Sequence, residues 1–250
     1  MRVLANLHRW WGVAFCLLFA MWFASGIVMH FVPFPARHEQ SLPGGMDFSR
    51  ATTEQIDDDQ WTVAGDFDSD RPLKRIALND ANGTEIYISG ASGRIVLTTT
   101  RNERLVNYAG SVAHWLYPTA LGRHAKLWSW LMWSLSLLAA IGAALGVALG
   151  LVRLATGPAY QGLQRWHHIS GLIAAPFLLA WIFSGFLSMN DGPFAHSDDL
   201  FRAMHTLDFP PLASHPWLRT SAIVVLCLCG FAFSLTGAVL AWRRVTNNGA

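Results

Sequence analysis

The hydrophobic pattern of the chain is dominated by four long stretches without a charged residue. They cover residues 10–35, 127–152, 169–190 and 220–242. About 20 apolar residues in an α-helix cross the roughly 30 Å of hydrocarbon in a bilayer, so each stretch predicts a transmembrane helix. The first stretch exceeds the roughly 7–15 apolar residues of a signal peptide and ends without a clear small-residue cleavage site, so we expect it to be retained.

Between the first two stretches the pattern changes to short alternating runs typical of β-strands. Strands are predicted over 75–78, 85–88 and 94–98, with Asn82-Gly83 in a tight hairpin and a second turn over 90–93. A domain this small buries little core by itself, so we expect it to lean on the membrane helices or on a partner chain. That expectation leaves a homo-oligomer open.

An internal repeat relates the third apolar stretch to the first, and the fourth to the second. Its members are His8-x-x-x-Gly12 with Trp22-x-x-Ser25-Gly26, repeated as His167-x-x-x-Gly171 with Trp181-x-x-Ser184-Gly185, and the pair His114 and His124, repeated as His205 and His215. Many membrane proteins are built from duplicated helix sets. The repeat therefore predicts two helix pairs in the same orientation, related by a pseudo-twofold axis along the membrane normal.

The predicted fold is an all-α integral membrane bundle of four transmembrane helices in two repeated pairs, with a small α+β insert. The predicted segments are helix one over 1–35, the insert over 36–110, an interfacial segment and helix two over 111–153, a link and helix three over 154–190, and a loop and helix four over 191–250. A stripe of small residues on helix two, Gly142, Gly146 and Gly150, permits close helix approach.

Composition and charge support a membrane protein and predict its orientation. Only 14% of the residues are charged, against about a quarter in soluble domains, and the net charge of +2 does not indicate a nucleic-acid partner. Basic residues without any nearby acid flank the chain ends and the link between helices two and three: Arg2, Arg9, Arg153, Arg165, Arg243 and Arg244. The positive-inside rule then places both termini in the cytoplasm and the insert outside.

Histidines at the ends of the apolar stretches are the main chemical signal. Seven of the ten occupy such positions: His8, His30, His114, His124, His167, His205 and His215. Neutral imidazole is the commonest metal ligand and binds haem iron axially. The repeat brings His8 and His167 to one axis from opposite sides at the cytoplasmic face. The sequence has no C-x-x-C-H motif, so a haem would not be attached through thioethers.

The ligands at the other face are left open by the sequence. The repeat offers His114 with His205, or His124 with His215, whereas His30 shares a helix face with His8 and would need a partner from another helix. His168 points about 100° away from His167 on a helix, so only one of the two meets a metal. The four stretches contain no charge, which argues against an ion or proton path but not against electron transfer.

Several motifs together resemble the PepSY-associated transmembrane family of bacterial inner-membrane proteins. They lie at residues 7–10, 25–28, 32–35, 165–171, 184–189 and 205–210, and residues 87–94 resemble the strand-turn-strand pattern of a PepSY module. The better understood members are haem-containing reductases that pass electrons across the membrane to ferric siderophores. The resemblance implies b-type haem ligated by His8, by His167 or His168, and by the histidines before helices two and four. Ser89 stands where the module commonly has Asp.

The expected function is that of an inner-membrane oxidoreductase with two b haems. It would take electrons from a cytoplasmic or membrane donor that the sequence does not identify, and reduce a ferric siderophore or another ferric complex in the periplasm. No nucleotide-binding fingerprint is present, so a flavin or nicotinamide domain would belong to a partner. The alternative is a haem-free accessory protein, anchored in the lipid bilayer, whose periplasmic insert binds another protein.

Overall fold

The computed structural model describes residues 2–40, 46–157, 160–187 and 198–247. It divides into a helical unit, Met1–Ile27 with Ser129–Ala250, and a sheet unit, Val28–Trp128. In chain order the elements are α1 Arg2–Phe31, β1 Thr52–Ile56, a 3-10 helix Gly65–Asp70, β2 Leu73–Ala77, β3 Glu85–Ser89, β4 Ile95–Thr99, α2 Arg101–Asn107, a π-helical turn Tyr108–Val112, α3 Thr119–Gly122, α4 Ala125–Thr156, α5 Gly162–Leu187, α6 Asp198–Thr206, α7 Pro210–Ala213 and α8 Pro216–Asn247.

The four predicted transmembrane helices are confirmed as α1, α4, α5 and α8, each long and apolar enough to cross a membrane. Helix α1 ends at Phe31, four residues before the predicted apolar stretch ends, because Pro33 and Pro35 do not continue a helix. The end of the third stretch, 188–190, lies outside the described residues. At most 28% of the residues in the most apolar part of each helix are buried, so the remaining side chains are half-buried or exposed.

The helical unit is held together by a shared apolar core and by close helix approach. Its core residues are Phe15, Phe23, Ala139, Ala143, Leu178, Ile182, Ile223 and Cys227. The predicted close approach along the glycine stripe is present between α1 and α4, where a Cβ on Gly142 would lie 2.2 Å from Cδ1 of Trp11. The Trp11 indole donates a hydrogen bond of 2.8 Å to the Leu138 carbonyl. Lipid supplies no hydrophobic driving force between helices, so such contacts position them.

The repeat predicted from the sequence is also visible in the backbone. Leu116 and Leu207 have positive φ angles of 46° and 53°, and each comes two residues after its repeat histidine. Positive φ is unusual for a residue with a large side chain, so its recurrence at equivalent positions is informative. Each leucine is followed by a four-residue helix, α3 or α7, and then by a long helix, α4 or α8. The two helix pairs therefore enter their second helix by the same turn.

The sheet unit contains a four-stranded antiparallel meander in the order β1-β2-β3-β4. The three predicted strands are confirmed as β2, β3 and β4. Strand β1 was not predicted, because four of its five residues are exposed and its sequence is mostly polar. The loop between β2 and β3 is wider than the predicted two-residue hairpin: Gly83 has the expected positive φ of 59°, but the second positive φ belongs to Asn79.

Buried side chains of the sheet unit form a core of their own. It includes Trp61, Phe67, Leu73, Tyr87 and Val96. Thr100 caps α2 through a reciprocal hydrogen-bonded box with Glu103, which satisfies backbone donors at the helix start. The sheet is thus a compact element within the unit and not a loosely ordered loop.

Candidate cofactor-binding histidines

His8 lies against the glycine stripe of α4, near the start of α1. A Cβ on Gly146 would lie 2.5 Å from Cε1 of the His8 ring, so only glycine at this position lets the ring take its place. Among the described residues, Nδ1 of His8 is buried and has no hydrogen-bond partner. An unsatisfied buried polar atom costs about 1–3 kcal/mol, so this ring is suited to a further polar or metal contact.

His167, the repeat counterpart of His8, is oriented by α8. Its Nδ1 lies 2.8 Å from Oγ1 of Thr236, and that hydroxyl donates its own proton to the Phe233 carbonyl at 2.6 Å. Oγ1 therefore accepts a hydrogen bond from Nδ1–H, which leaves the lone pair of the neutral ring on Nε2. The ring also stacks on Phe233, with centroids 4.7 Å apart and planes 13° apart.

His168 takes the opposite tautomer because its neighbour is a carbonyl of another helix. Its Nε2 lies 2.8 Å from the carbonyl oxygen of Gly150. A carbonyl only accepts, so Nε2–H donates and the lone pair lies on Nδ1. The Tyr160 ring meets His168 edge-on at 5.3 Å. The two adjacent histidines, which the sequence could not distinguish, thus differ in the nitrogen that they offer.

The nitrogen that each histidine offers to a metal can be compared with what a haem requires. A metal-bound histidine donates its second ring N–H to a nearby acceptor, which fixes the ring and the tautomer. His167 meets this requirement through Thr236 and offers Nε2, the nitrogen remote from its own Cβ. His168 offers Nδ1, beside its Cβ, where a porphyrin plane would be crowded. The described residues contain no group of three or more His, Cys, Asp or Glu side chains suited to a metal ion, whereas axial haem ligation needs one or two.

At the other end of the bundle, His205 of α6 packs against the end of α5. Its Nδ1 lies 3.0 Å from the Trp181 carbonyl, so Nδ1–H donates and the lone pair lies on Nε2. The ring occupies the space over Gly185, where a Cβ would lie 2.9 Å from Cε1. Burial lowers the pKa of His205, so the ring is neutral at neutral pH and able to act as a ligand.

The remaining predicted histidines fall into two groups by exposure. His124 and His215 are exposed, and Nδ1 of His215 lies 3.2 Å from the Pro211 carbonyl beside it. His30 and His114 are half-buried, and the His30 ring meets Phe31 edge-on at 5.2 Å. His30 and His8 lie on one continuous helix, as predicted. His30, His114 and His124 belong to the sheet unit, whereas the other five predicted site histidines belong to the helical unit.

Sequence reasoning missed the residues that orient these rings. Thr236 has no histidine or acid near it in the sequence and no hydroxyl at its repeat position, Leu145, so no pattern marks it. Gly146 was identified only as a site of close helix approach. The contact between Gly146 and the His8 ring depends on which helix packs against Gly146, and the sequence does not show this.

The resemblance to the PepSY-associated family stays a prediction from the motifs, because no protein-family model, no curated protein and no solved structure matches this chain.

Proposed function

We propose that this protein is a b-haem transmembrane electron-transfer protein that reduces a ferric complex, of the ferric-siderophore class, on the periplasmic side with electrons from the cytoplasmic side. Four apolar helices with histidines at both ends support this proposal. The resemblance of its motifs to a family of membrane ferric reductases supports it as well. The electron donor would be a separate protein or a quinol.

The environment of His167 is the observation that carries the proposal. Its Nδ1–H is held by Thr236 at 2.8 Å and its lone pair lies on Nε2, which is the arrangement of an axial ligand. His8 stands at the equivalent place in the repeat. We therefore propose His8 and His167 as the two ligands of one haem, with His168 held away by Gly150.

For a second haem we propose His205 as one ligand. Its Nδ1–H is held by a backbone carbonyl in the way that Thr236 holds His167. For the other ligand the sequence offers His114, the repeat counterpart of His205, or His30. Both are half-buried, whereas His124 and His215 are exposed to solvent. A ligand to haem iron in a dry site is expected to lose most of its solvent exposure, so we rank the exposed pair last.

The chain itself would contribute positioning and insulation. Haem with two imidazole ligands supplies one-electron transfer without a change of ligands. The histidines would hold the haem, and the absence of charged residues from the stretches between the two ends argues against a path for protons or ions but not against electron transfer. Reduction of Fe(III) to Fe(II) outside the membrane weakens its hard oxygen ligands, which would release the iron.

The proposal is tested by the visible spectrum and haem content of the detergent-purified protein from haem-replete cells. We expect a split, six-coordinate b-type spectrum on reduction and two haems per polypeptide in a pyridine haemochrome assay. Mixing the reduced protein with a ferric siderophore under anaerobic conditions should then reoxidise the haem. A folded, colourless preparation would reject the proposal.

A haem-free accessory protein is the second candidate, and strand β1 is the observation that favours it. Among the described strands, β1 lies at the end of the sheet and pairs with β2 alone, and it exposes four of its five residues. Such an edge can pair with an extended segment of another protein. The same spectrum distinguishes the two candidates, because this function needs no haem.

A further inference from the structure

Two arginines occupy equivalent places in the repeat and share an unusual environment. Arg153 and Arg244 lie in the last turns of α4 and α8 and are half-buried. The Nε atom of each is buried and has no hydrogen-bond partner among the described residues. An unsatisfied buried donor on a charged group costs more than one on a neutral group, so its occurrence in both copies calls for a ligand.

Each arginine is held by the face of an aromatic ring. The Arg153 guanidinium lies 4.5 Å from the centroid of Tyr160, and that of Arg244 lies 5.6 Å from the centroid of Trp10. Arg153 also packs over Gly157, where a Cβ would lie 2.5 Å from its Cδ. A ring face attracts the cation but accepts none of its in-plane N–H groups, so the fork of donors stays available for an anion.

No Asp or Glu residue is close to these arginines in the sequence. All Asp and Glu residues lie within 39–103 and 191–208, whereas both arginines lie where α1 and α5 begin and α4 and α8 end. Arg9 and Arg165 add further positive charge to the same helix starts. A counter-ion from outside the polypeptide would satisfy both donors.

We propose that Arg153 and Arg244 form a duplicated pair of oxyanion sites, each binding one phosphate or carboxylate group through the planar guanidinium. The favoured source is the phosphate of an anionic lipid, because Trp10 is 51% exposed and Leu154, beside Arg153, is 69% exposed. The other source with the same chemistry is a propionate of the haem proposed above. Only this second source rests on the proposed function.

The test is native mass spectrometry of the full chain in detergent, titrated with phosphatidylglycerol or with phosphatidylcholine. The variants are Arg153→Gln, Arg244→Gln and the control Arg243→Gln, which removes the same charge from an exposed neighbour. We expect phosphatidylglycerol to bind more tightly than phosphatidylcholine. Each of the first two variants should weaken phosphatidylglycerol binding about tenfold, as expected for the loss of a charged hydrogen bond, and the control should not. Arg→Lys variants, which keep the charge, should show a smaller loss because lysine lacks the fork.

The source is resolved by repeating the series on haem-free and haem-loaded protein. A loss of lipid affinity in both preparations identifies the lipid phosphate and stands even if the protein binds no haem. Unchanged lipid affinity, together with faster haem dissociation in the Arg153 and Arg244 variants alone, identifies the propionate. Variants that match Arg243→Gln in both measurements overturn the proposal.

Discussion

The sheet unit and the helical unit differ in how their charged side chains are partnered. In the sheet unit, charged and polar side chains form hydrogen bonds with one another. Asp70 accepts hydrogen bonds of 2.7 Å and 3.2 Å from Arg37, and the Tyr87 hydroxyl donates to Asp59 at 2.7 Å. Burial raises the pKa of Tyr87, and the neighbouring acids Asp59 and Glu85 raise it further, so its hydroxyl stays protonated as the donor. These groups are satisfied within the fold. Two buried side-chain atoms of the sheet unit, Oδ1 of Asn107 and Oγ of Ser111, have no partner among the described residues, but both are uncharged.

In the helical unit, small polar side chains form hydrogen bonds within their own helices. Three larger side chains each keep one nitrogen without a partner in the described part of the chain. Ser184 and Ser234 bond back to carbonyls one turn earlier, as expected where no water is present. His8, Arg153 and Arg244 instead keep a buried nitrogen without a partner among the described residues. The difference is that the unpartnered atoms of the sheet unit are an amide oxygen and a hydroxyl, whereas those of the helical unit are nitrogens of one histidine and two arginines.

The largest expected effect is on the proposed ligand in the helical unit. His167→Ala should remove one of two haems per polypeptide, because no neighbouring ring offers Nε2 in its place. His168→Ala is the matched control and should retain both, since Gly150 holds that ring. Haem per polypeptide by pyridine haemochrome is the measurement. The reverse pattern would exchange the roles assigned to the two histidines.

A smaller effect is expected from the residue that orients the ligand. Thr236→Val removes the acceptor of the His167 Nδ1–H while keeping the shape of the side chain. Loss of such a second partner typically lowers metal affinity about 10–100-fold. Haem transfer to an apo-acceptor protein measures that loss, and Thr236→Ser should restore affinity. Equal haem retention in the valine and serine variants would show that the hydrogen bond does not position the ring.

The sheet unit should lose stability through its buried ion pair. Asp70→Asn leaves Arg37 without its charged partner and should cost about 2 kcal/mol, less than for a fully buried pair because the Arg37 side chain is 31% exposed. Hydrogen exchange of residues 85–99 in the intact protein measures this. The control, Glu54→Gln, breaks an exposed pair with Arg75 and should cost below about 1 kcal/mol.

The same pair gives the sheet a pH dependence. The Arg37 hydrogen bonds hold the pKa of Asp70 below its usual value, so the folded pKa lies below the unfolded one. The stabilisation is therefore complete above the unfolded pKa of about 4 and is lost as the pH falls through the folded pKa. Exchange protection of 85–99 should fall at acidic pH in the wild type. A fall of the same size in Asp70→Asn would contradict this assignment.

The smallest effect is expected from close packing in the helical unit. Gly146→Ala places a Cβ 2.5 Å from the His8 ring and should cost about 1–2 kcal/mol, because the ring must move. Gly12→Ala is the control, since nothing lies within 4 Å of its Cβ position. Thermal unfolding in detergent measures both variants. If both melt at the same temperature, the His8 ring is free to move without cost.

Much of the architecture followed from local sequence patterns. The four long helices and the strands β2 to β4 are each indicated by the hydrophobic pattern of a single segment. The repeat is indicated by the same residue spacing in two segments. Strand β1 was missed because an exposed end strand has no alternation of apolar residues to reveal it. The turn after β2 was placed correctly, but its width depends on Asn79, which bonds across to the Arg50 carbonyl.

The sequence by itself determined that the chain has four apolar spans, a polar insert and histidines at equivalent places in two copies. The length of an apolar stretch, the alternation of a strand and the spacing of a repeat are read directly from the sequence. They do not depend on which residues lie close together in the folded structure. Only the tertiary structure decided that His167 faces Thr236 while His168 faces Gly150, and that Arg153 and Arg244 lie over rings. Neighbouring residues on a helix differ by about 100°, so their chemistry depends on which helix stands on each side.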